Sequence, residues 1–542
     1  MDTVYDRALS EVGDNGLFQK KFDLVYNIVL PFFWMMSYNN LLFVLAIIPH
    51  TCELPNKPKN VSELAWKSKY IPTFKDTLGR NKFNDCSIYV NPDINNETRN
   101  CVKYTYDKTW YESTVASDNN WVCADELYVA NVFSISRFGE IAGALIFGWF
   151  GDVYGRRMTY IISLALIVVG RIVSLVGSNS FIFFVSGALV TCLSTWTVVQ
   201  SSYVISMEMS APDRRALVTT LRNTSLSVGM CVLPLLYWWI RDWKILMSIT
   251  TSSQLLFMFF SWNIIESPRW SWISGKIDDC IVHLQRIAVT NKTTLSPEIE
   301  NEIRNTPPIG KIQSLGVFAL FTHWRLATNT ILQLVISLIV TLTYTILLFT
   351  PGEKSEGNPF LEASWQALAE FPGYFIGAML AERIGRRYTG AISFSISALM
   401  WTIVAIRENN SNGWIQSHWI GTSLFFTNRL FITSTYYTIS MFNMELYPTC
   451  LRQSGISLGN VISSAGAAIA PYVLYLGRHI DSRWPGVLLA GVSLVGVISC
   501  LLLPETLNAK LPETIEDAQN FGKKYSLVSK LTSRNQEDIT IE

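Results

Sequence analysis

Charge is scarce in this chain. Only 16% of its 542 residues are Asp, Glu, Lys or Arg, against about 25% in an ordinary soluble domain, and the formal net charge is +1. The scarcity argues against a set of water-soluble domains, and the near balance leaves no basic field to hold a nucleic acid. Histidine is rarer still. His50, His283, His323, His418 and His479 lack metal-ligand spacing, so no metal site is expected. No GxxxxGKS or GxGxxG run offers a phosphate cradle, which argues against an ATP-driven pump; no cofactor and no enzymatic activity are expected. A signal peptide is not expected either, because the mixed-charge start precedes an apolar stretch, 24–48, too long for a signal h-region.

What the chain has in quantity is apolar sequence. Hydrophobic residues make up 49%, mean hydropathy is +0.25, and the apolar residues gather into segments of about 20, enough to cross the hydrocarbon of a bilayer as helix. Secreted, fibrous and disordered classes are excluded. Twelve spans are predicted: 24–48, 127–150, 158–176, 181–206, 218–240, 244–264, 328–350, 362–381, 389–406, 419–440, 455–476 and 486–503. Eighteen Trp, 22 Tyr and 29 Phe suffice for interfacial belts and for lining a cavity. The expected class is an all-α membrane protein.

Short basic connections at Arg156–Arg157, Arg214–Arg215, Arg386–Arg387 and Arg452 fall on one side, which the positive-inside rule makes cytoplasmic, with both termini. The predicted organisation is a cytoplasmic segment 1–23, a first half 24–264, a cytoplasmic linker 265–327, a second half 328–503 and a cytoplasmic tail 504–542. Residues 49–126 form an outer insertion holding Cys52, Cys86, Cys101 and Cys123. An even cysteine set in an oxidising compartment predicts two disulfides, with three pairings open. Sequons at Asn60, Asn96 and Asn409 predict glycosylation on the same side. In the linker, Ile277 to Ala288 has helical spacing.

The chain repeats. GWFGDVYGRR (148–157) matches AMLAERIGRR (378–387) at an offset of 230, and Glu208 with Arg215 matches Glu445 with Arg452 at an offset of 237. A further acidic cluster follows each half, ESPRW at 266–270 and PETLN at 504–508. A duplicated six-helix unit is a transporter architecture. Asp152, Arg156, Glu208, Arg215, Glu266 and Arg269 in the first half, and Glu382, Arg387, Glu445, Arg452 and Glu505 in the second, are candidate gating residues, since charge-assisted pairs between helix ends are strong yet breakable. The competing reading is that the arginines anchor helices to anionic headgroups.

Polar groups within spans mark candidate binding positions. Glu370 lies mid-span in ALAEFPGYFI, before Pro372 and Gly373, and a carboxylate there suits an ammonium group; its competing role is an internal pair with Arg429. Arg137 and Glu140, at i,i+3, can satisfy each other. Arg222, Asn223 and Gln333 are hydrogen-bonding candidates, and Trp34, Tyr38, Tyr203, Tyr344, Tyr436 and Tyr437 are candidate walls.

These motifs resemble the organic cation, anion and zwitterion transporter family (solute carrier family 22) of the major facilitator superfamily. GWFGDVYGRR, ESPRW, MELYPTCLR (444–452), LPETLNAKLPET (503–514) and GDNGLFQ (13–19) carry the resemblance, as does the large cysteine-bearing outer loop. It implies twelve helices in two six-helix bundles, a central cavity, and alternating access without ATP hydrolysis. Glu370 matches a glutamate of cation-transporting members, and Tyr203 a tyrosine lining the family's site. Ser464 stands where cation carriers have an aspartate and anion carriers an arginine, and Trp196 and Val199 replace the family's lysine and tryptophan.

The expected function is potential-driven uptake of small organic cations or amine-bearing zwitterions across the plasma membrane by a monomeric transport unit in contact with lipid. An organic anion exchanger, a proton-coupled vesicular amine carrier and a non-transporting receptor are the alternatives.

Overall fold

The computed structural model describes residues 4–55, 58, 62–75, 81–92, 95–305, 317–354, 357–409, 417–448, 451–507 and 512. Its long helices are α1 Leu30–Val44, α2 Leu127–Tyr154, α3 Arg156–Val176, α4 Phe181–Glu208, α5 Pro212–Ile240, α6 Trp243–Phe260, α7 Trp324–Lys354, α8 Pro359–Leu368, α9 Glu370–Ile384, α10 Arg386–Asn409, α11 His418–Glu445, α12 Arg452–His479 and α13 Trp484–Leu502.

Among the described residues nine helices are long and apolar enough to cross a membrane. The first, eighth and tenth predicted spans are not among them, each for a local reason. Before α1 the chain runs through a six-residue π-helical stretch, Leu24–Val29, where buried Asn27 donates to Asp23 at 2.8 Å. The eighth span is not continuous. It divides at Ala369 into α8 and α9. The third case, α11, is unbroken over 28 residues but buries Asn428, Arg429, Thr433, Ser434, Thr435 and Thr438, so its polarity faces protein and its mean hydropathy falls.

Helix ends follow from local chemistry. Asp242 caps α6 by accepting from the N–H groups of Lys244 and Ile245. Pro212, Pro359 and Pro485 sit in first turns, where a missing N–H costs little. Gly155 and Gly385, at φ +101° and +96°, make the sharp breaks between α2 and α3 and between α9 and α10; this backbone region is nearly closed to residues with a Cβ.

Among the described residues the helices surround three cores, one drawn mainly from α1, α3–α6 and flanking segments, one from α7 and α10–α13, and one from α1, α2, α4–α6 and the 49–126 insertion that also takes in Phe360 of α8. Within the first part α3 and α2 pack on α4, and α1 packs on α5 and α6; within the second α7 packs on α12, α10 on α13 and α11, and α9 on α11. Small residues permit the close approaches. A Cβ on Gly170 of α3 would meet the Gly187 carbonyl of α4 at 2.7 Å.

The first core also takes in Tyr5, Leu9 and Val12 with Ile281, Leu284, Ile287 and Ile303. The N-terminal helices and the linker helices Ile277–Asn291 and Pro297–Asn305 therefore form one layer over an end of the first part. Asn291 stitches it, donating to the carbonyls of Val12 and Gly13 at 3.0 Å and accepting from Phe18 N–H at 2.8 Å.

Among the described residues every β-strand falls in the 49–126 insertion. It carries three two-stranded antiparallel sheets, pairing His50–Cys52 with Tyr104–Tyr106 across the length of the insertion, Thr73–Lys75 with Asn81–Phe83, and Ser87–Asn91 with Asn95–Asn100. Disulfides join Cys52 to Cys101 and Cys86 to Cys123. Asn60 and the side chains of Asn96 and Asn409 lie outside the described residues.

Candidate functional site

The break between α8 and α9 creates the first candidate site. Glu370 opens α9, and Pro372 falls in that helix's first turn. Gly373 and Gly377 then let α9 lie close on α11, since Cβ atoms there would meet the Leu430 carbonyl at 2.6 Å and Ser434 Cα at 3.0 Å. This approach brings Glu370 to Arg429. The two form an ion pair whose side chains are 5% and 1% exposed.

Glu370 Oε1 also accepts from the Tyr344 hydroxyl at 2.7 Å. The Arg429 guanidinium stacks 3.9 Å from the Tyr344 ring centre and donates to the Tyr344 carbonyl at 3.3 Å. A further contact reaches Met230 Sδ of α5 at 3.4 Å. The carboxylate is thus neutralised inside the protein. Removing either partner of such a pair leaves a bare buried charge, at a cost of about 3–5 kcal/mol.

A second cluster occupies the first part. Trp34, Tyr38 and Trp196 meet with ring centres 4.6–5.3 Å apart. Arg137 donates to the Tyr38 hydroxyl and pairs with Glu140 at 2.6 Å. Beside them a cavity opens among α1–α4 and α6, walled by Thr345, Leu348 and Phe349 of α7. A second cavity, reaching Tyr111, Glu126 and Arg478, shares Leu42, Phe133, Leu348 and Phe349 with the first. The edge-to-face pair Phe133–Phe349, 4.8 Å between centres, stands between the two.

Four predicted wall or binding residues lie elsewhere. Tyr203 shares a hydrogen bond with Thr219 at 2.8 Å and carries Arg222 over its ring at 4.4 Å. Gln333 donates to Ile439 O and Asn443 Oδ1 between α7 and α11. Ser464 is half-buried on α12. Adjacent tyrosines divide, for Tyr436 lies 6.0 Å from the Tyr344 ring, whereas Tyr437 senses the charges of Glu382, Arg386 and Glu445.

The duplicated arginine turns are built alike. Glu266 accepts from the N–H groups of Arg156 at 2.9 Å and Arg157 at 3.1 Å, holding the start of α3. Glu505 accepts from Arg386 at 2.9 Å and Arg387 at 3.1 Å, holding the start of α10. A carboxylate at a helix N-terminus answers both unsatisfied N–H groups and the helix dipole. Burial nevertheless keeps the Glu266 carboxyl above the usual carboxylate range. Arg156 pairs with Asp152 at 2.8 Å, and Arg386 with Glu445 at 2.9 Å. Glu208 lies in the field of Arg156 and Arg269, and Arg452 donates to the Tyr447 carbonyl at 3.4 Å. Arg387 lies over the Tyr388 ring, while Arg215 is half-buried near the start of α5. Among the described residues, no ion pair joins the first-half members of this set to the second-half members.

The two parts are joined at the opposite end, the one bearing the disulfides. There Ser134 donates to Ala468 O at 2.7 Å, Tyr472 to Asn131 at 2.8 Å, and Glu126 pairs with Arg478 and with His479.

Sequence reasoning missed several of these groups. Arg171, in the middle of the third span, satisfied the polar-in-span rule that singled out Glu370. Asp23 was excluded by one position from the first span, yet it is buried with Arg214, Asn27 and Ser206. One His–Cys–Cys cluster, His50 with Cys86 and Cys123, has ligand spacing among the described residues, but its two sulfurs form a disulfide.

Comparison with known proteins agrees with this architecture. The family model "Sugar (and other) transporter" matches residues 94–517. The chain is 29% identical over 539 residues to an organic cation transporter protein of Drosophila melanogaster, covering 96% of this chain and 95% of that one. It is 25% identical to organic cation/carnitine transporter 2 of Homo sapiens, over 94% and 93%, and 25% identical to a beta-alanine transporter of Drosophila melanogaster, over 95% and 89%. Among solved structures it resembles a peptide transporter POT in complex with sulfate, TM-score 0.59 at 13% identity over 91% of this chain and 97% of that one. It also resembles the inward-open xylose transporter XylE of E. coli, TM-score 0.53 at 14% identity over 74% and 91%. The chain is a multi-pass membrane transporter of the major facilitator fold, resembling the solute carrier 22 transporters rather than any enzyme, and it belongs to the sugar (and other) transporter family.

Proposed function

We propose that this chain carries small organic ions, amine-bearing zwitterions or cations foremost, across the plasma membrane by alternating access. In this reading twelve spans form two six-helix bundles, with α8 and α9 together as one span and the termini and arginine turns cytoplasmic. The observation that carries it is the asymmetry of contact, with the parts joined at the disulfide-bearing end while each arginine turn stays within its own part. That is the arrangement of a carrier closed outward and ready to release inward. The transport unit is a monomer embedded in lipid, glycosylated at Asn60, Asn96 and Asn409. Asp152, Arg156, Glu208, Arg215, Glu266 and Arg269, with Glu382, Arg387, Glu445, Arg452 and Glu505, serve the inner gate.

Glu370, Arg429, Tyr344 and Tyr436 form the centre on which the bundles rock, and Trp34 and Tyr38 face the substrate. The relatives' names, organic cation, carnitine and beta-alanine transporters, support a substrate with an amine. The Glu370–Arg429 pair supports the zwitterion over the bare cation, because the carboxylate already has its counter-ion; it also keeps anion exchange as the second reading.

Uptake by cells expressing the chain tests this, with labelled amines, zwitterions and organic anions presented at two clamped membrane potentials. Cation uptake is expected to rise at interior-negative potential, whose drive is about 2.3 kcal/mol per charge per 100 mV. Uptake confined to anions and stimulated by internal anion would replace this reading with exchange. Glu370→Gln is expected to remove uptake of amines and to lower stability by roughly 3–5 kcal/mol, since Arg429 is left unpaired; normal uptake by that variant would remove Glu370 from the centre.

A further inference from the structure

The cavity of the first part has an unbalanced charge. Arg137 is answered by Glu140, and in the neighbouring centre Arg429 is answered by Glu370. Arg171, 7% exposed and lining the cavity from α3, has no carboxylate among the described residues. Its one protein acceptor there is the Ser37 backbone carbonyl of α1. A buried guanidinium without a counter-ion is unfavourable unless an anion or several acceptors meet it.

Three unsatisfied polar atoms belong to residues that line the same cavity: Arg171 Nε, Ser37 Oγ and Asn40 Oδ1 are buried without a hydrogen-bond partner. Other hydroxyls on its wall are satisfied within the protein: Thr191 donates to Gly187 O at 2.9 Å, Thr195 to Thr191 O at 2.6 Å, and Ser174 to Phe184 O at 3.1 Å. Natural structures leave few buried polar atoms unpaired, so three in one cavity beside an uncompensated cation ask for a ligand.

We propose that this cavity is a carboxylate subsite in which Arg171 and Ser37 donate to one carboxylate of a small substrate, while Asn40 Oδ1 accepts from a donor elsewhere on it. Two donors and a positive charge fit a carboxylate and reject a simple amine, and the flanking faces of Trp34 and Tyr38 fit a short carbon chain. The cavity is walled on one side by α7 of the other part, so movement of the two parts would open and close it. The proposal rests on reading the chain as a carrier, and it narrows the substrate to a zwitterion or monocarboxylate.

The test is thermal stabilisation of the purified full chain by β-alanine, propionate and propylamine, with uptake of labelled β-alanine into proteoliposomes measured alongside. Propionate and β-alanine are expected to raise the melting temperature and propylamine to leave it unchanged. Arg171→Gln is expected to raise the half-saturating concentration of both carboxylates at least about tenfold, the effect of losing a charge-assisted bond. Ser37→Ala, which removes a hydroxyl with no protein partner, should weaken them several-fold, and it carries the test with Arg171→Lys if Arg171→Gln does not fold. Equal half-saturation in wild type and variants, stabilisation by propylamine equal to that by propionate, or no stabilisation by either carboxylate would overturn the subsite. Stabilisation through Arg171 with no β-alanine uptake would instead contradict the carrier reading, whereas uptake indifferent to Arg171→Gln would contradict the subsite alone.

Discussion

The two arginine turns share a backbone and differ in their ion pairs. In each, a glycine at positive φ breaks the chain between helices and a distant glutamate, Glu266 or Glu505, closes on two N–H groups of the following helix. The side chains then diverge. Arg156 pairs with Asp152 one turn back on α2, whereas Arg386 leaves the equivalent residue, Glu382, and pairs with Glu445 on α11. Glu445 receives a second bond from the Thr506 hydroxyl at 2.6 Å. Under the gating role proposed above, the difference separates two jobs within one motif: the glycine and capping glutamate hold each half in shape, and the arginine–carboxylate pairs are the parts that would change partners during a transport cycle.

Substitutions at the shared backbone should have the largest effect. A Cβ at Gly155 would stand 2.2 Å from Glu266 Oε2, and one at Gly385 2.3 Å from Glu505 Oε2. Gly155→Ala and Gly385→Ala are expected to lose at least about 1–3 kcal/mol from backbone strain alone, before the clash is counted. Thermal unfolding of the purified variants should show comparable losses in both; a tolerated alanine in either turn would break the equivalence.

Neutralising the capping glutamates comes next. Glu266→Gln and Glu505→Gln keep an acceptor but lose its charge, and roughly 1–2 kcal/mol of destabilisation is expected from a weakened cap and dipole interaction. Both losses should again be similar, read from the same melting curves.

The smallest effect on stability, and the sharpest contrast, lies in the ion pairs. Asp152 is 74% exposed as a side chain, and surface pairs of this kind contribute about 0–1 kcal/mol. Asp152→Asn should therefore melt like wild type, whereas Glu445→Gln, whose partner Arg386 is only 15% exposed, should melt lower. Both should slow turnover of labelled substrate while leaving its equilibrium dissociation constant near the wild-type value. Unchanged turnover in Asp152→Asn would return that residue to a purely structural role.

Much of the molecule is legible in the sequence because apolar length and the repeat are one-dimensional signals. Residues 148–157 and 378–387 identify the duplicated turns, and ESPRW and LPETLN supply the glutamates that close them. The helix at Ile277–Asn291 is visible in its spacing. Breaks inside a span are harder to read. The sequence around Pro372 marks an irregularity in the eighth span, but the interruption falls at Ala369, and the proline sits where a new helix tolerates it. Disulfide pairing depends on three-dimensional proximity, and four cysteines alone cannot choose among three arrangements. The charge of the cavity is hidden for a similar reason. Arg137, Arg171 and Arg429 look alike as single basic residues in apolar sequence, and only contact distances distinguish the two that have carboxylates from the one that has none among the described residues.

Alternating access is the central claim, and a pair of distance measurements tests it directly. Spin labels at Tyr154 and Tyr388, beside the arginine turns, report one end; labels at Leu127 and Ile480, next to the contacts of Glu126 with Arg478 and His479, report the other. During transport of a labelled zwitterion the account predicts opposite movements, the first distance shortening as the second lengthens. Distances that stay fixed, or that grow together, while substrate crosses the membrane would contradict it.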